Sequence, residues 1–186
     1  RKVILLLNFP NNPTGYSPSR EEANTLIQLL GDFAAKNSKI IVISDDAYFG
    51  LFYEENTYKQ SLFTPLADLH DNILAVKIDG ATKENLAWGF RIGFITFASR
   101  GLNQEHYDAL TRKVMGAIRS SVSSSNLSAQ NLLLKAMKSE FYEKEKAEAF
   151  RILKERYQMV CQILRERRDE SRLRPLPFNS GYFMTF

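Results

Sequence analysis

The feature that most constrains the fold is a continuous apolar run at 3–9, "VILLLNF", which precedes a helical pattern and a second such run within 39–48. Continuous apolar runs are typical of strands that are buried on both faces of a sheet. Further strand-like runs occupy 72–80 and 90–98. This alternation predicts an α/β fold with a mostly parallel sheet and flanking helices.

Helical patterns separate and follow these strands. Ser17 is the predicted N-cap of the first helix, with Pro18 at its first position. The final run, "SGYFMTF", alternates in the manner of a strand. Between the first helix and this final run, helical periodicity predicts three further helices, over 104–118, 128–138 and roughly 140–169.

Composition excludes several function classes. The chain has 186 residues, is 44% hydrophobic and carries a net charge of +4, with acidic residues interleaved among the basic ones. This charge pattern argues against nucleic-acid binding, and no apolar run approaches the roughly 20 residues that cross a membrane. A single cysteine, Cys161, excludes an internal disulfide and is consistent with a reducing compartment, so we expect a cytoplasmic protein. Because the sequence begins and ends within strand-like runs, we expect a fragment.

Polar side chains gather near the ends of the predicted strands. Asn12 follows the first strand, Asp45 and Tyr48 end the second, Lys83 follows the third, and Arg91 lies at the start of the fourth. Ligands of open α/β sheets bind at the carboxyl ends of the strands. The sequence therefore predicts a ligand site at this edge of the sheet.

Each of these residues has an ordinary and a chemical interpretation. Lys83 is a surface lysine or an amine nucleophile, and Arg91 pairs on the surface or binds a phosphate, where its flanking glycines would permit close backbone approach. Asp45 is a loop acid or the partner of a ring nitrogen. Tyr48 is either a packing residue or a hydrogen-bond donor to a phenolic oxygen. Asn12 is either a turn residue or a second donor to that oxygen. Taken together, the chemical interpretations meet the polar demands of pyridoxal 5′-phosphate, and no metal site is predicted.

Three motifs carry a family resemblance. They are "NNPTG" at 11–15, "SDDAYFGLFY" at 44–53 and "GATKENLAWGFRIGF" at 80–94. In this order they resemble the class I/II aminotransferases, which are fold-type I pyridoxal-phosphate-dependent enzymes. The resemblance implies that residues 1–138 form part of the cofactor-binding large domain. Residues 139–186 would then hold the long interdomain helix and the first strand of the small domain.

The resemblance also implies roles for the residues around the cofactor ring. Lys83 would form the internal aldimine and then move the proton between Cα and the cofactor. Asp45 would pair with the pyridinium nitrogen, because it fits the acid–x–alanine–tyrosine spacing of the family and Asp46 does not. Asn12 and Tyr48 would bind the phenolic oxygen of the ring.

Two residues are implied as phosphate ligands, namely Arg91 and Thr82. Many family members have a serine or threonine shortly before the lysine, and here position 80 is a glycine, which leaves Thr82. The resemblance places the glycine-rich phosphate loop and the ring-stacking aromatic before residue 1. It places the arginine that binds the substrate carboxylate after Phe186.

The implied activity is transfer of an amino group between an amino acid and a 2-oxo acid by a cytoplasmic homodimer, and we expect the isolated fragment to be inactive. Two alternatives stay open. The same residues serve other fold-type I pyridoxal-phosphate enzymes, such as a β-lyase, a decarboxylase or a synthase. Aminotransferase-like domains also act as non-catalytic ligand sensors.

Overall fold

The computed structural model describes residues 1–167 and 172–186. Its centre is a four-stranded sheet in which the first three strands run parallel and the fourth is antiparallel to the third. The order in the sheet follows the chain: β1 (Lys2–Asn8), β2 (Lys39–Asp45), β3 (Ile73–Gly80) and β4 (Gly93–Ala98). The four predicted strands and the mostly parallel α/β arrangement are thus confirmed.

The main hydrophobic core lies between this sheet and two helices, α1 (Arg20–Ala35) and α2 (Phe63–Leu66). Val42 of β2 is fully buried, and Ile73 and Leu66 are each 1% exposed. The core thus covers one face of β2 and β3, whose parallel pairing sets their register up to Asp45 and Ile78.

The N-terminus of α1 differs from the prediction. The N-cap is Ser19, whose Oγ accepts from the Glu22 amide at 3.2 Å, while the Glu22 carboxylate accepts from the Ser19 amide at 2.7 Å. The predicted cap at Ser17 is wrong, and Pro18 precedes the helix. Ser17 is instead fully buried, with its Oγ 2.8 Å from Ser180 Oγ. The Ser17 hydroxyl, which we predicted to cap α1, therefore has its hydrogen-bond partner in Ser180, far away in the sequence.

The C-terminal part is helical, as predicted. The short helix α3 (Ala81–Glu84) and a single 3-10 turn (Trp88–Phe90) lie between β3 and β4. The predicted residues 168 and 169 of the last helix lie outside the described residues. The three longer helices are α4 (Gln104–Ser121), α5 (Leu127–Met137) and α6 (Tyr142–Glu166).

Two strand predictions need correction. β1 is not buried on both faces, since Ile4 is 68% and Leu6 is 65% exposed. The reason is that the main core covers only the face that carries Leu5 and Leu7, whereas Ile4 and Leu6 lie on the opposite face. The final run forms no strand within the described residues 172–186; Ser180 makes one isolated bridge with Phe52. The amide of Leu176 donates to the carbonyl of Thr185 at 2.8 Å, so this segment folds back on itself instead of extending along the sheet.

Among the described residues, no helix is both long enough and apolar enough to span a membrane.

Candidate functional site

The turn after β1 is held by its own asparagines. The Asn11 carbonyl accepts from the Gly15 amide at 2.9 Å, and Asn8 Oδ1 accepts from the Asn12 amide at 2.9 Å. Gly15 has a φ of +72°, and a Cβ there would lie 1.9 Å from the carbonyl oxygen of Phe183. Only glycine fits such a position. The turn therefore presents Asn12 in one orientation at the edge of the sheet.

Three of the predicted site residues meet at this edge. Asn12 Nδ2 donates to Tyr48 Oη at 3.1 Å. The Tyr48 ring is buried, and Lys83 Nζ lies 5.5 Å from its centroid. This distance is within the range of a cation–π contact. The lysine, the tyrosine and the asparagine thus form one contiguous polar group, although they come from three separate segments of the chain.

A cavity of about 530 Å³ adjoins this group, and Thr82, Lys83 and Arg91 line it. Arg91 follows the 3-10 turn and has a φ of +53°, a left-handed conformation that is uncommon for residues other than glycine. The cavity is of the size of small-molecule sites in proteins. A guanidinium, a hydroxyl and an amine along its walls suit a phosphorylated ligand.

The glycines around Arg91 are not required by packing against other described residues, and their expected role in close approach to a ligand stays a prediction. A Cβ at Gly89 would meet no described atom within 4 Å, and one at Gly93 would make an ordinary 3.7 Å contact with Asp79. The crowded position is Gly80, where a Cβ would lie 2.6 Å from the carbonyl oxygen of Ile92. Position 80 therefore has no room for a hydroxyl-bearing side chain, which leaves Thr82 as the hydroxyl in this turn.

Asp45 is near the cavity but is not one of its lining residues. It ends β2 and pairs in register with Ile78, which does line the cavity. One carboxylate oxygen of Asp45, Oδ1, accepts from the Ala47 amide at 3.1 Å. Asp45 is therefore a carboxylate that is hydrogen-bonded within the turn after β2. It lies two residues before Ala47, which lines the cavity.

Comparison with known proteins gives the decisive observation: the family profile described as "Aminotransferase class I and II" matches residues 1–185. The chain belongs to this family. The aspartate aminotransferase of Thermotoga maritima is 28% identical over 163 residues, which are 87% of this chain and 37% of that protein. The aspartate aminotransferase of Thermococcus kodakarensis is 32% identical over 91 residues, which are 49% of this chain and 21% of that protein.

Solved aminotransferase structures resemble the fold. The crystal structure of an aminotransferase from Anaerococcus prevotii superposes with a TM-score of 0.79 at 26% identity, covering 97% of this chain and 44% of that chain. An aspartate aminotransferase structure from Thermotoga maritima gives a TM-score of 0.67 at 24% identity and covers 96% of this chain and 40% of that chain. The chain thus spans less than half the length of the relatives that it matches.

Sequence reasoning missed the environment of Asp46. Asp46 is 5% exposed, and its Oδ2 lies 4.0 Å from Lys77 Nζ, which also pairs with Asp79. Burial raises the pKa of Asp46 to about 6, although the Ser61 hydroxyl and the Lys77 ammonium oppose this. Burial works against the Lys77 ammonium too, but its acidic neighbours outweigh burial and raise the pKa of Lys77. Positions 40–43 are all apolar, so no alternation in the sequence marked the buried face that Asp46 shares with Ser44.

Tyr182 is the second residue that sequence reasoning missed. The centroid of its ring lies 5.6 Å from Lys83 Nζ. The Tyr182 and Tyr48 rings pack edge to face, with their centroids 5.9 Å apart. The C-terminal segment reaches the site because the Gly181 amide donates to the Leu51 carbonyl at 2.8 Å. No local pattern marked Tyr182, since its neighbourhood depends on contacts between the two ends of the chain.

Proposed function

We propose that this chain is the lysine-bearing part of a pyridoxal-phosphate-dependent aminotransferase that moves an amino group between an amino acid and a 2-oxo acid. The observation that carries the proposal is the position of Lys83. Its amine lies 5.5 Å from the centroid of the Tyr48 ring, whose hydroxyl accepts from Asn12, and Lys83 lines the same cavity as Arg91. Family membership supports the same conclusion.

The residues present fit the cofactor in chemical type. Arg91 offers a guanidinium and Thr82 a hydroxyl to a phosphate group, and both line the cavity with Lys83. Tyr48 and Asn12 offer hydrogen bonds to a phenolic oxygen. Asp45 keeps a second carboxylate oxygen beside the one that accepts from Ala47, and that oxygen suits a protonated ring nitrogen.

When bound, pyridoxal 5′-phosphate supplies an aldehyde that reacts with amines and a ring that accepts the electron pair released at Cα. In the proposed role, Lys83 anchors the group through its amine and later carries the proton at Cα, since a positioned amine serves as base and then as acid. Asp45 keeps the ring nitrogen protonated by opposite charge. Arg91 and Thr82 hold the phosphate and so fix the position of the ring.

We infer for the whole protein what the family resemblance implies: amino acid and 2-oxo acid substrates, a homodimer, and a cytoplasmic location. We also infer that residues 1–138 belong to the large domain and that residues 139–186 lead into the small one. The position of the long helix α6 (Tyr142–Glu166) supports this division, because the second segment is inferred to begin with the interdomain helix.

Titration with pyridoxal phosphate tests the proposal. We expect the chain to give a visible absorbance band that saturates, Lys83→Ala to abolish it, and Lys144→Ala to keep it, because Lys144 is an exposed residue of α6. Equal bands from both variants would contradict a site at Lys83, since they would report scattered surface lysines.

The reaction class is tested on the full-length protein with an amino donor. Transamination predicts a 2-oxo acid that retains the carbon skeleton of the donor. Release of ammonia or carbon dioxide would instead favour a lyase or a decarboxylase, and a saturable band without any product would favour a ligand sensor.

A further inference from the structure

The turn that carries Lys83 is too short to define its own orientation. The helix α3 has four residues, and its N-cap, Gly80, makes no side-chain cap. Leu86, three residues after Lys83, has a φ of +55°, a conformation that bulky residues rarely adopt. Such a conformation persists when surrounding structure imposes it. Contacts from outside the turn must therefore hold it.

The first turns of α6 supply two of these contacts. Lys146 Nζ donates to Glu84 Oε1 at 3.3 Å, and Asn85 Nδ2 donates to Tyr142 Oη. Lys146 Nζ also lies 5.7 Å from the centroid of the Tyr142 ring. These four residues form what we call the α3–α6 contact. Glu84 and Asn85 directly follow Lys83, so the contact acts on the backbone next to the reactive lysine.

The α3–α6 contact is partly shielded from water. The side chains of Lys146 and Glu84 are 36% and 32% exposed. Burial works against the Lys146 ammonium, but Glu84 and Tyr142 outweigh burial and raise the pKa of Lys146. Lys146 therefore stays charged at neutral pH, and the pair is screened less than one on the open surface.

We propose that Tyr142 and Lys146 are positioning residues for Lys83, which direct its amine toward Tyr48 and the cavity by holding Asn85 and Glu84. The inference rests on the proposed function, in which Lys83 is the residue that reacts. Neither Tyr142 nor Lys146 is among the residues that line the cavity with Lys83. They act through the turn and not on the cofactor itself.

Hydrogen exchange without cofactor gives the first test. The amides of Asn85 and Ala87 donate to the Ala81 carbonyl at 3.2 and 3.1 Å and report on the turn directly. We expect Lys146→Met to speed their exchange about fivefold, the scale of one ion pair. Lys144→Met, the matched control, should leave it unchanged, because Lys144 is exposed on the same helix. Unchanged exchange in Lys146→Met would overturn the proposal.

Cofactor affinity gives the second test, on chains whose circular dichroism matches that of the wild type. We expect Lys146→Met to weaken pyridoxal phosphate binding about fivefold. Lys146→Arg should retain most of the affinity, and the charge exchange Glu84→Lys with Lys146→Glu should restore it. Faster exchange without any change in affinity would overturn the positioning role, since the turn would then loosen with no effect on Lys83.

A third variant keeps the ion pair of the α3–α6 contact. Tyr142→Phe removes the hydroxyl that accepts from Asn85 and that also favours the Lys146 ammonium, so we expect a smaller change of the same sign in exchange and in affinity. A wild-type chain that binds no pyridoxal phosphate would contradict the proposed function. The exchange measurement would still decide the α3–α6 contact in that case, because it needs no cofactor.

Discussion

The sheet region and the helical region of this chain are stabilised in different ways. Residues 1–98 enclose a compact core, in which Val42 is fully buried and Leu66 is 1% exposed. Neither α4 nor α6, both fully described, contains a buried residue, and Met115 and Met159 on their surfaces are 62% and 63% exposed. The sheet region thus supports itself, whereas the long helices attach through a few separate contacts.

This difference divides the candidate site. Asn12 is held by the Asn8 side chain at the end of β1 and donates to Tyr48, whose buried cluster also packs against α6. Lys83 stands on a short turn whose neighbours contact α5 and α6. Asn12 is therefore fixed through the sheet region, whereas the orientation of Lys83 depends on the helices. The following experiments test that comparison, from the largest expected effect to the smallest.

Leu66→Ala should have the largest effect on stability. Leu66 is 1% exposed in the main core, so removing its side chain should lower the free energy of unfolding by about 2 to 5 kcal/mol. Leu132→Ala is the matched control in α5, where the side chain is 54% exposed, and it should change the same quantity by less than about 0.5 kcal/mol. Urea unfolding measures both. Similar losses in the two variants would contradict the comparison.

Asp46→Asn should alter the pH dependence of stability. Since the pKa of Asp46 is raised to about 6 in the folded chain from an ordinary value of 3.8, the native state binds more protons between these values. The wild type should therefore lose about 2 to 3 kcal/mol of stability as pH rises from about 4 to 6, relative to Asp46→Asn. Unfolding free energies at several pH values measure this difference.

The control for that experiment lies in the helical region. Asp108 is an exposed residue of α4, and Asp108→Asn should keep the wild-type dependence of stability on pH. A wild-type curve parallel to that of Asp46→Asn would show that the Asp46 carboxyl is not held in a desolvated position.

A capping box starts a helix in each region, α1 in the sheet region and α4 in the helical region. Ser19→Ala removes a cap from α1, which packs on the core, and should lower the free energy of unfolding by about 1 kcal/mol. Asn103→Ala removes the corresponding cap from α4 and should fray that helix with little effect on global unfolding. Circular dichroism and urea unfolding separate the two outcomes. Equal losses in global stability would mean that α4 unfolds together with the core.

Tyr157→Phe should have the smallest effect. The Tyr157 ring stacks on Tyr53 at 4.9 Å, and its hydroxyl donates to Glu54 at 2.7 Å. The substitution keeps the stack and removes one exposed hydrogen bond, so the free energy of unfolding should fall by about 0.5 kcal/mol. A double-mutant cycle with Glu54→Gln isolates the bond. A loss well above 1 kcal/mol would indicate that α6 is attached mainly through this hydroxyl.

Local patterns in the sequence were sufficient to locate the four strands of the sheet and the motifs at their ends. Continuous apolar runs identified β2 and β3, and the chemistry of Lys83, Tyr48 and Asn12 indicated that they belong to one site. Both inferences need only periodicity and the rule that ligands bind at the carboxyl ends of parallel strands.

The errors share a different cause, because each depends on a partner that is far away in the sequence. Ser17 and Ser19 are both suitable N-cap residues. Because the Ser17 hydroxyl is hydrogen-bonded to Ser180, Ser19 caps the helix. The buried position of Asp46 follows from a parallel register with β3 that brings Lys77 close. Tyr182 reaches Lys83 only after the C-terminal segment has folded back.

The most direct test of the central claim is to locate the lysine that reacts with pyridoxal phosphate. The chain is incubated with the cofactor, reduced with borohydride, digested, and analysed by mass spectrometry. A single pyridoxyl group on Lys83 is the result that we predict, because this amine lies beside Tyr48 and in the cavity with Arg91. Modification spread over exposed lysines such as Lys59 and Lys144, with none enriched at Lys83, would contradict the claim.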